Sequence, residues 1–411
     1  MKENSYLIIS NEFLKELSSS SQFEGELWGV LLDEGSVVQL LHSEKKDSTK
    51  LSGYWLKSQP LPSNDTLPTS LENKLESGHL LAFMGQLDLT LYRVTDQRKL
   101  VPQPYHKLEI YASYYSRTTG LFDSELLKNK KVAVVGLGTG GSVIASELAK
   151  AGVGRFVLID YDRLEVHNIA RHICGLRDLG RYKTKAVRDY LFNVSLVMEV
   201  ETYELDINQE SGDSLSNILK DCDLIIGATD DEYAKEVLNQ VAWKLKIPAV
   251  YGAAYSLGFG GDVFLAFPPH GACYACFRIA TSDDFSNIVP ENFKIKDYGT
   301  LVQGKIVPQP ALGLDVHFIS LIAARSAITT LLNRDELVMI PYPGNYIRWG
   351  NQPHPKFFER ALESQFFYLE SNVQCPVCHS AELLQATLKL SLEQAEIEAK
   401  KLLASIPKVE N

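Results

Sequence analysis

The order of apolar and polar positions predicts alternating strands and helices in the middle of the chain. Lys131–Val135 is a short β-branched run, glycines follow at once, and an alanine-rich pattern with helical spacing covers Ser142–Ala151. A second apolar run, Arg155–Ile159, ends on Asp160. A strand, a helix and a second strand in this order predict a βαβ unit with parallel strands.

The same alternation continues toward the C-terminus. Apolar runs predict strands at Val200–Leu205, Leu224–Gly227 and Ala249–Gly252, with a helix near Ala234–Leu245. The segment Asp315–Leu332 is apolar on most faces, which predicts a buried helix. The predicted fold class is α/β, with a Rossmann-like, mostly parallel sheet that carries helices on both faces, and with a small N-terminal α+β domain in front of it.

The patterning divides the chain into three sections. Residues 1–110 contain short apolar runs interrupted by the polar stretch Ser58–Ser70, and we interpret them as an accessory α+β domain that docks a substrate or partner. Residues 111–380 form the α/β domain and begin with a connecting stretch that we predict to be helical. Residues 381–411 are rich in Ala, Leu, Glu and Lys and predict a C-terminal helical tail. The apolar runs of the first section are Leu27–Leu32, Val37–Leu41 and Leu80–Met84.

Composition narrows the class of protein. The 411 residues are 45% hydrophobic and carry a net charge of -10, which disfavours a nucleic-acid partner because neutralising phosphates needs clustered Lys and Arg. Met1–Ser10 has no basic region followed by an apolar one, and no apolar run approaches the roughly 20 residues that span a bilayer. We therefore expect a cytoplasmic protein that does not bind membranes.

A glycine loop follows the first predicted strand. Gly136, Gly138 and Gly141 fit the pattern G-x-G-x-x-G between a strand and a helix, where the backbone can approach a phosphate. Asp160 follows Gly141 by 19 residues, at the end of the next strand, where a carboxylate can accept hydrogen bonds from ribose. These features predict a nucleotide site, but they do not distinguish NAD from ATP.

Further polar residues favour a triphosphate. Asn168 and Arg171 are three residues apart and would share a face of a helix, while Lys183 opens the next helix. Cations of this kind suit the charge of a triphosphate better than that of a pyrophosphate diester. Asp230 follows a predicted strand at the carboxyl edge of the sheet, where it could hold Mg²⁺.

Four of the six cysteines form two Cys-x-x-Cys pairs. Paired thiolates at this spacing predict a tetrahedral Cys₄ zinc site, with a redox pair as the alternative. The four are Cys273, Cys276, Cys375 and Cys378.

Together these motifs resemble those of the ThiF/MoeB/ubiquitin-activating-enzyme superfamily of adenylating enzymes. The resemblance runs from about Tyr114 to Cys378 and includes Asp160-x-Asp162, Asn168-x-x-Arg171 and both cysteine pairs. It implies an adenylation domain over residues 111–380 that uses ATP and Mg²⁺ and carries a zinc ion.

The resemblance also implies roles for individual residues. Asp160 would bind the ribose, next to the glycine loop and Asp162. Asn168, Arg171 and Lys183 would contact the phosphates, and Asp230 would hold Mg²⁺. Arg117 resembles an arginine finger that reaches the ATP of the partner subunit, which implies a homodimer. The catalytic set would be Arg117, Arg171, Lys183 and Asp230, and the nucleotide-binding set Gly136, Gly138, Gly141, Asp160, Asp162 and Asn168.

The implied function is ATP-dependent adenylation of the C-terminal carboxylate of a small ubiquitin-like protein, a sulfur-carrier protein or a ribosomal peptide. The stretch Arg278–Pro310 contains no cysteine, which disfavours a thioester step, and Cys174 is the remaining candidate nucleophile near the nucleotide. Two alternatives stay open: a catalytically inactive nucleotide-binding scaffold and an NAD-dependent oxidoreductase. We interpret His167 and His172 as structural.

Overall fold

The computed structural model divides the chain into two compact units, Met1–Arg117 and Thr118–Asn411. The first unit ends at Arg117, whereas the sequence predicted a boundary after residue 110. Each unit contains one eight-stranded sheet. The structure describes residues 6–32, 36–41, 43–44, 48–57, 67–68, 70–84, 89–108, 114–118, 120–195, 198–282, 311–332, 339–379, 394 and 397.

The sheet of the first unit has the strand order β7-β6-β5-β4-β2-β3-β1-β8. Strand β1 is parallel to both of its neighbours and β4 is parallel to β5, while the other pairs are antiparallel. The elements are β1 (Tyr6–Ser10), α1 (Asn11–Ser19), β2 (Glu24–Leu32), β3 (Val37–Leu41), β4 (Thr49–Lys57), β5 (Leu80–Met84), β6 (Leu89–Val94), β7 (Leu100–Pro102) and β8 (His106–Leu108).

The core of the first unit lies on both faces of its sheet. The Oγ of Ser10 caps α1 by accepting a hydrogen bond of 3.2 Å from the backbone N–H of Phe13, which packs into one apolar cluster. Successive residues of β5 alternate between clusters: Ala82 belongs to the α1 cluster and Phe83 to a second one. The three predicted apolar runs correspond to β2, β3 and β5, and most of the polar stretch 58–70 lies outside the described residues.

The second unit alternates strands and helices and then continues in strands. Its elements are α2 (Glu125–Lys128), β9 (Lys131–Val135), α3 (Thr139–Ala151), β10 (Arg155–Ile159), α4 (Val166–Ile169), α5 (Lys183–Val194), β11 (Glu199–Tyr203), α6 (Gly212–Leu219), β12 (Leu224–Gly227), α7 (Glu232–Leu245), β13 (Ala249–Ala254), β14 (Gly260–Ala266), α8 (Tyr274–Ala280), α9 (Gly313–Leu331), β15 (Tyr346–Gly350) and β16 (Glu363–Phe367).

Five parallel strands form one side of the second sheet and three antiparallel strands extend it, in the order β11-β10-β9-β12-β13-β14-β15-β16. This confirms the predicted α/β fold class with its mostly parallel sheet. The strand order reverses between β9 and β12. Open α/β sheets bind ligands outside the carboxyl ends of the strands at such a reversal.

The central strand shows how both faces of this sheet are covered. Val132 and Val134 pack into a cluster with α3, α5 and α9, whereas Ala133 and Val135 pack into a cluster with α6, α7 and α8. A strand that is buried on both faces has a continuous apolar sequence, which is why β9 could be located from its residues alone.

Helix α9 is the predicted apolar helix, and it begins at Gly313. Among the described residues it is the one helix long and apolar enough to cross a membrane, so the prediction that no apolar segment approaches this length was wrong. Ile319, Ala323 and Ala327 are at most 3% exposed and pack into the core cluster that contains β9. Its composition is therefore that of a helix in a protein core.

Other boundaries differ from the predictions by a few residues. Strand β11 begins and ends earlier than predicted, and α7 begins at Glu232. Within the described part of residues 108–130, where helix was predicted, Leu108 ends β8, Tyr114 is helical, turns follow it, and Glu125–Lys128 form the short helix α2. The predicted tail helix over 381–411 lies outside the described residues except for two isolated positions.

The antiparallel strands bury a charged cluster. On β14, Asp262 Oδ1 accepts hydrogen bonds from the hydroxyls of Tyr255, at 2.6 Å, and Tyr346, at 2.8 Å, and lies 3.5 Å from Nε of Arg348. The Oδ2 of Asp262 has no hydrogen-bond partner in the described part of the chain, and the residue is 2% exposed. Burial raises the pKa of Asp262 to about 6, although the hydrogen bonds and the charge of Arg348 oppose this.

We expect this carboxyl group to make stability depend on pH. Between its usual pKa of 3.8 and about 6, Asp262 keeps a proton in the folded state that the unfolded chain has lost. The free energy of unfolding should therefore decrease as pH rises through this window, by up to about 3 kcal/mol, and level off above it. Urea unfolding measured across this window should show the decrease relative to Asp262→Asn, and exposed Asp221→Asn should behave like wild type. An increase relative to Asp262→Asn would contradict the raised pKa.

Candidate functional site

Two glycines of the loop after β9 are required by close contacts within the protein. Gly136 has a φ of +86°, and a Cβ on it would lie 2.6 Å from the backbone nitrogen of Thr229. A Cβ on Gly141 would lie 1.8 Å from the carbonyl oxygen of Gly136. The loop after β9 thus packs against the loop after β12, and α3 packs against the glycine loop itself.

Gly138 is in a different situation. It is the N-cap of α3, its φ is -72°, and a Cβ on it would meet no atom of the described residues within 4 Å. Because Gly138 has no side chain, the N-cap position of α3 offers no side-chain oxygen to the first N–H groups of this helix. This helix N-terminus can therefore accept an anion, and the protein itself does not require a glycine at this position.

Asp160 connects the glycine loop to the segment after β10. Its Oδ2 accepts a hydrogen bond of 2.6 Å from the backbone N–H of Leu137, and its Oδ1 accepts one of 2.8 Å from that of Asp162. The side chain is 9% exposed. Burial raises the pKa of Asp160, and the nearby charge of Lys183 and the two hydrogen bonds only partly offset this.

Lys183 completes a group of charges with the two aspartates. Its Nζ lies 2.7 Å from Oδ2 of Asp162 and 4.0 Å from Oδ1 of Asp160. Its backbone N–H donates to the carbonyl of Asp162, and the whole residue is 7% exposed. The structure thus brings together three of the predicted residues at the carboxyl ends of β9 and β10.

Asn168 and Arg171 lie beside a turn and do not share a helix face as predicted. Helix α4 ends at Ile169, and the backbone N–H of Arg171 donates to the carbonyl of Asn168. The side-chain oxygen of Asn168 accepts from the N–H of Glu165 and caps α4. Arg171 is half-buried, and its guanidinium makes no ion pair with any described residue.

The loop after β12 gives its two aspartates different tasks. Asp231 is the N-cap of α7: its Oδ1 accepts from the N–H groups of Tyr233 and Ala234, and its own N–H donates to the hydroxyl of Thr229. Asp230 is exposed and forms no hydrogen bond or ion pair with the described residues. The carboxylate that remains available to a ligand is therefore the predicted Asp230.

Carboxylates from the segment after β10 and from the loop after β12 both raise the pKa of Tyr161. The pKa of Tyr161 is raised, first by the negative charge of Asp162, and further by burial and by the charges of Asp206, Asp160 and Asp230. Asp230 thus lies within electrostatic range of the segment after β10. The carboxyl edge at the strand reversal is consequently rich in negative charge.

His172 and Cys174 are structural. The Nδ1 of His172 accepts a hydrogen bond from the N–H of Cys174, so its protonated Nε2 donates to the carbonyl of Leu137 at 2.8 Å. Burial lowers the pKa of His172 and raises that of Cys174 to about 12. A thiol that is 4% exposed and protonated at neutral pH does not suit a nucleophile. Burial raises the pKa of Cys222 to about 12 as well.

The four cysteines of the two Cys-x-x-Cys pairs meet at one point. Their Sγ atoms all lie within 4.8 Å of one another, with separations of 3.9 Å between Cys273 and Cys276, 3.4 Å between Cys273 and Cys375, and 3.5 Å between Cys276 and Cys378. Tetrahedral ligands with metal–sulfur bonds of 2.3 Å would be about 3.8 Å apart. The pKa of Cys276 is lowered because its Sγ accepts hydrogen bonds from the thiol of Cys273 and other donors, which include the N–H of Asn372. This set of donors fits a four-coordinate metal ion.

Arg117 is an exposed residue at the end of the first unit. It therefore does not belong to the unit that contains the glycine loop, and its predicted role as an arginine finger stays a prediction.

Some residues around the site were not predicted from the sequence. The capping role of Asp231 could have been recognised from an acidic residue directly before a helix. The ion pair between Glu232 and Lys235 could not have been recognised from the sequence. A lysine that is 1% exposed does not differ in sequence from a solvated one. Burial would raise the pKa of Glu232, but the charge of Lys235 and hydrogen bonds from Lys235 and Tyr274 outweigh it, so the pKa is lowered.

Comparison with known proteins agrees with this geometry. Adenylyltransferase and sulfurtransferase MOCS3 of Culex quinquefasciatus is 34% identical over 151 residues, which are 36% of this chain and 33% of that protein. Sulfur carrier protein adenylyltransferase of Thermus thermophilus is 32% identical over 157 residues, 38% of this chain and 56% of that protein. The chain thus spans between a third and just over half of the length of these curated relatives.

Solved structures are more distant. The crystal structure of E. coli MccB with ATP aligns with a TM-score of 0.45 and 18% identity, covering 62% of this chain and 68% of that one. The crystal structure of PaaA aligns with a TM-score of 0.47 and 20% identity, covering 64% and 75%.

The family match covers most of the second unit. Residues 114–364 match the model of the ThiF family, and this range contains the glycine loop, Asp160, Lys183, Asp230 and the first cysteine pair. Because the match extends over more than half of the chain, the protein belongs to the ThiF family.

Proposed function

We propose that this protein uses Mg-ATP to adenylate the C-terminal carboxylate of a small ubiquitin-like protein, a sulfur-carrier protein or a ribosomal peptide. One observation carries the proposal. Three groups without a partner among the described residues belong to loops at the same edge of the sheet: the N-terminus of α3 at Gly138, the guanidinium of Arg171 and the carboxylate of Asp230. Membership of the ThiF family supports the same function.

The nucleoside end of ATP would lie against the glycine loop. Asp160 already accepts two backbone hydrogen bonds, and its carboxylate has lone pairs left for the ribose hydroxyls. Gly138 leaves space for a close approach, while Gly136 and Gly141 shape the loop. We assign Asp162 a supporting role, because it accepts from Lys183 and donates its N–H to Asp160.

The phosphates would lie toward the segment that follows β10. Arg171 supplies a guanidinium that has no counter-ion in the described part of the chain, and Lys183 has three donors, of which Asp162 takes one. Asn168 uses its side-chain oxygen as a cap, so its NH₂ group remains to donate to a phosphate oxygen. A Mg²⁺ ion held by Asp230 would neutralise charge on the phosphates as pyrophosphate departs.

The proposed reaction is an in-line displacement. A carboxylate oxygen of the substrate attacks the α-phosphorus, an oxygen–phosphorus bond forms, and the bond to the bridging oxygen of pyrophosphate breaks with its electron pair. The products are an acyl-adenylate and pyrophosphate. A carboxylate is already ionised at neutral pH, so the reaction needs no general base, and positioning with neutralisation of charge is the main task of the protein.

The relatives suggest the class of substrate. One of them is named a sulfur carrier protein adenylyltransferase, which supports a carrier protein as the substrate. We propose that residues 1–110 dock the substrate or a partner protein and that residues 381–411 contribute a helical tail. The described residues include no thiol suited to a thioester step, since the thiols of Cys174 and Cys222 are buried and protonated.

We propose zinc as the metal of the Cys₄ cluster. The four thiolates would fill all its coordination positions, so this ion would hold residues 375–378 against α8 and take no part in the reaction. Such a cluster and six cysteines without disulfides fit the reducing cytoplasm, which we propose as the location.

The alternatives explain less. An NAD-dependent oxidoreductase would leave the unpaired Arg171 and Asp230 without a task. An inactive scaffold would have no need for the carboxylate of Asp230, which lies in the loop after β12 and has no partner among the described residues. Protection against thermal unfolding by NAD and not by ATP would favour the oxidoreductase.

The glycine loop offers a test that separates folding from nucleotide binding. Gly138→Ala should change the free energy of unfolding by less than about 1 kcal/mol, since its Cβ meets nothing. It should weaken ATP binding about tenfold or more, because the methyl group enters the space proposed for the nucleotide beside the glycine loop. Gly141→Ala should instead destabilise the protein by about 1–3 kcal/mol or more. Calorimetric ATP titration and urea unfolding check both, and normal ATP affinity in Gly138→Ala would place the nucleotide elsewhere.

Adenylation itself is measured by ATP–pyrophosphate exchange. We expect exchange with a carrier protein or peptide that has a free C-terminus, and none when that terminus is a carboxamide. Asp230→Asn should lower the rate about 100-fold or more. Asp221→Asn is the matched control, because this exposed carboxylate lies before β12, at the opposite end of the strand. Equal rates for the two variants would remove Asp230 from the mechanism.

The same assay tests the proposed homodimer. Arg117→Ala and Asp230→Asn should each be inactive alone, and a mixture of the two should regain activity if Arg117 acts on the ATP of a partner subunit. If the two variants are shown to exchange subunits and the mixture still has no activity, then Arg117 does not act on the ATP of a partner subunit.

Metal analysis tests the cysteine cluster. The purified protein should contain one zinc ion per chain, and Cys375→Ser should lose both the zinc and thermal stability. Cys222→Ala, which removes a thiol outside the cluster, should keep the zinc. Replacement by Co²⁺ should give the absorption of a tetrahedral thiolate complex. Zinc retained in full by Cys375→Ser would contradict the assignment.

A further inference from the structure

Glu232, near the start of α7, connects this helix to α8. Its Oε1 accepts a hydrogen bond of 2.9 Å from Nζ of Lys235, one turn along the same helix. Its Oε2 accepts one of 2.7 Å from the hydroxyl of Tyr274 and lies 3.4 Å from Nε of Arg278, both on α8. One carboxylate thus joins three partners on two helices.

Burial of Lys235 makes its ion pair with Glu232 necessary for the stability of this region. Lys235 is 1% exposed, and a buried ammonium is costly unless a counter-charge is close. Among the described residues, Glu232 is the carboxylate that pairs with it. The remaining face of the Lys235 ammonium is directed toward the ring of Tyr274, whose centroid is 5.9 Å from Nζ. Glu232 is therefore held in place by a charge that cannot turn into solvent.

At its far end the connection reaches the metal cluster. Helix α8 starts directly after Cys273 and contains Cys276, so two of the four sulfur ligands belong to it. A second bond ties the same helices together, because the N–H of Tyr274 donates to the side-chain oxygen of Asn239 on α7 at 2.9 Å. Two contacts, two helical turns apart on α7, fix the helices against each other.

At its near end the connection reaches the loop after β12. Asp230 precedes Glu232 by two residues, and Asp231 between them caps α7. The position of the Asp230 carboxylate therefore depends on where the first turn of α7 lies, and the contacts of Glu232 hold this turn against α8.

We infer that Glu232 is a positioning residue, which couples the cysteine cluster to the Mg²⁺-binding carboxylate of Asp230 through Tyr274 and Lys235. The ion held by the four cysteines would then support the active site as well as the fold. It would fix α8, α8 fixes Glu232, and Glu232 fixes Asp230. The part that concerns Mg²⁺ rests on the function proposed above for Asp230.

The first test is the Mg²⁺ dependence of ATP–pyrophosphate exchange. In Glu232→Gln the Mg²⁺ concentration for half-maximal rate should rise about tenfold, as for residues that support metal ligands. The rate at saturating Mg²⁺ should stay within about twofold of wild type. Tyr274→Phe, which removes one hydrogen bond, should shift the Mg²⁺ dependence in the same direction but less. Glu236→Gln, on an exposed position of the same helix, is the matched control and should not shift it.

A second readout does not depend on activity. Hydrogen exchange of peptides covering residues 229–238 should be about tenfold faster in Glu232→Gln than in wild type. It should also be faster in wild-type protein after its metal is removed. Because Glu232→Gln leaves Lys235 without its counter-charge, the double variant Glu232→Gln/Lys235→Met keeps the test valid if the single variant folds poorly. Metal content should stay at one ion per chain in each variant.

The outcomes separate the two proposals. Unchanged Mg²⁺ dependence in folded Glu232→Gln overturns the coupling, and so does a uniform loss of rate at every Mg²⁺ concentration. If wild-type protein catalyses no exchange with any substrate, the proposed function fails, and hydrogen exchange alone then decides the link between the cluster and the start of α7. Unchanged protection of residues 229–238 after metal removal overturns that link.

Discussion

The loop after β9 approaches the loop after β12 so closely that no side chain fits between them. Gly136 and Gly141 make this possible, since a Cβ on either would overlap backbone atoms. Because β9 and β12 are neighbours where the strand order reverses, the contact brings the glycine loop that leads into α3 next to Thr229, the residue before Asp230. The other contacts follow from it: Asp160 holds the glycine loop from the side of β10, and α7 starts where the second loop ends.

Much of this arrangement could be predicted from the sequence because it depends on local signals. Strands β9, β10 and β12 have the predicted bounds, since a parallel strand that is covered on both faces requires an unbroken apolar run. The glycine spacing predicted the loop, and the ends of the strands placed Asp160 and Asp230 at one edge of the sheet. The cysteine spacing predicted a cluster that the structure assembles from residues about 100 positions apart.

The remaining features depend on partners that are distant in sequence. Strands β14–β16 and most of the first sheet are antiparallel or at an edge, so their sequences mix apolar and polar positions and give weaker signals. The burial of Asp262 depends on Arg348, which only strand pairing reveals. Asn168 and Arg171 were predicted to share a helix face, but α4 ends between them because the segment turns back toward Leu164 and Gly180.

The balance of charge at the sheet edge bears on how a nucleotide would bind. Asp160 and Asp162 already take up the charge of Lys183, and Asp230 adds a carboxylate without a described counter-ion. Arg171 has no counter-ion among the described residues, and its single charge cannot balance a triphosphate in the field of these acids. A free ATP anion would be repelled from Asp230, whereas an ATP that carries Mg²⁺ turns this repulsion into ligation. Under the proposed function, the same carboxylate that opposes the bare nucleotide would select its metal complex, and an acidic edge and an open helix N-terminus could then serve one site.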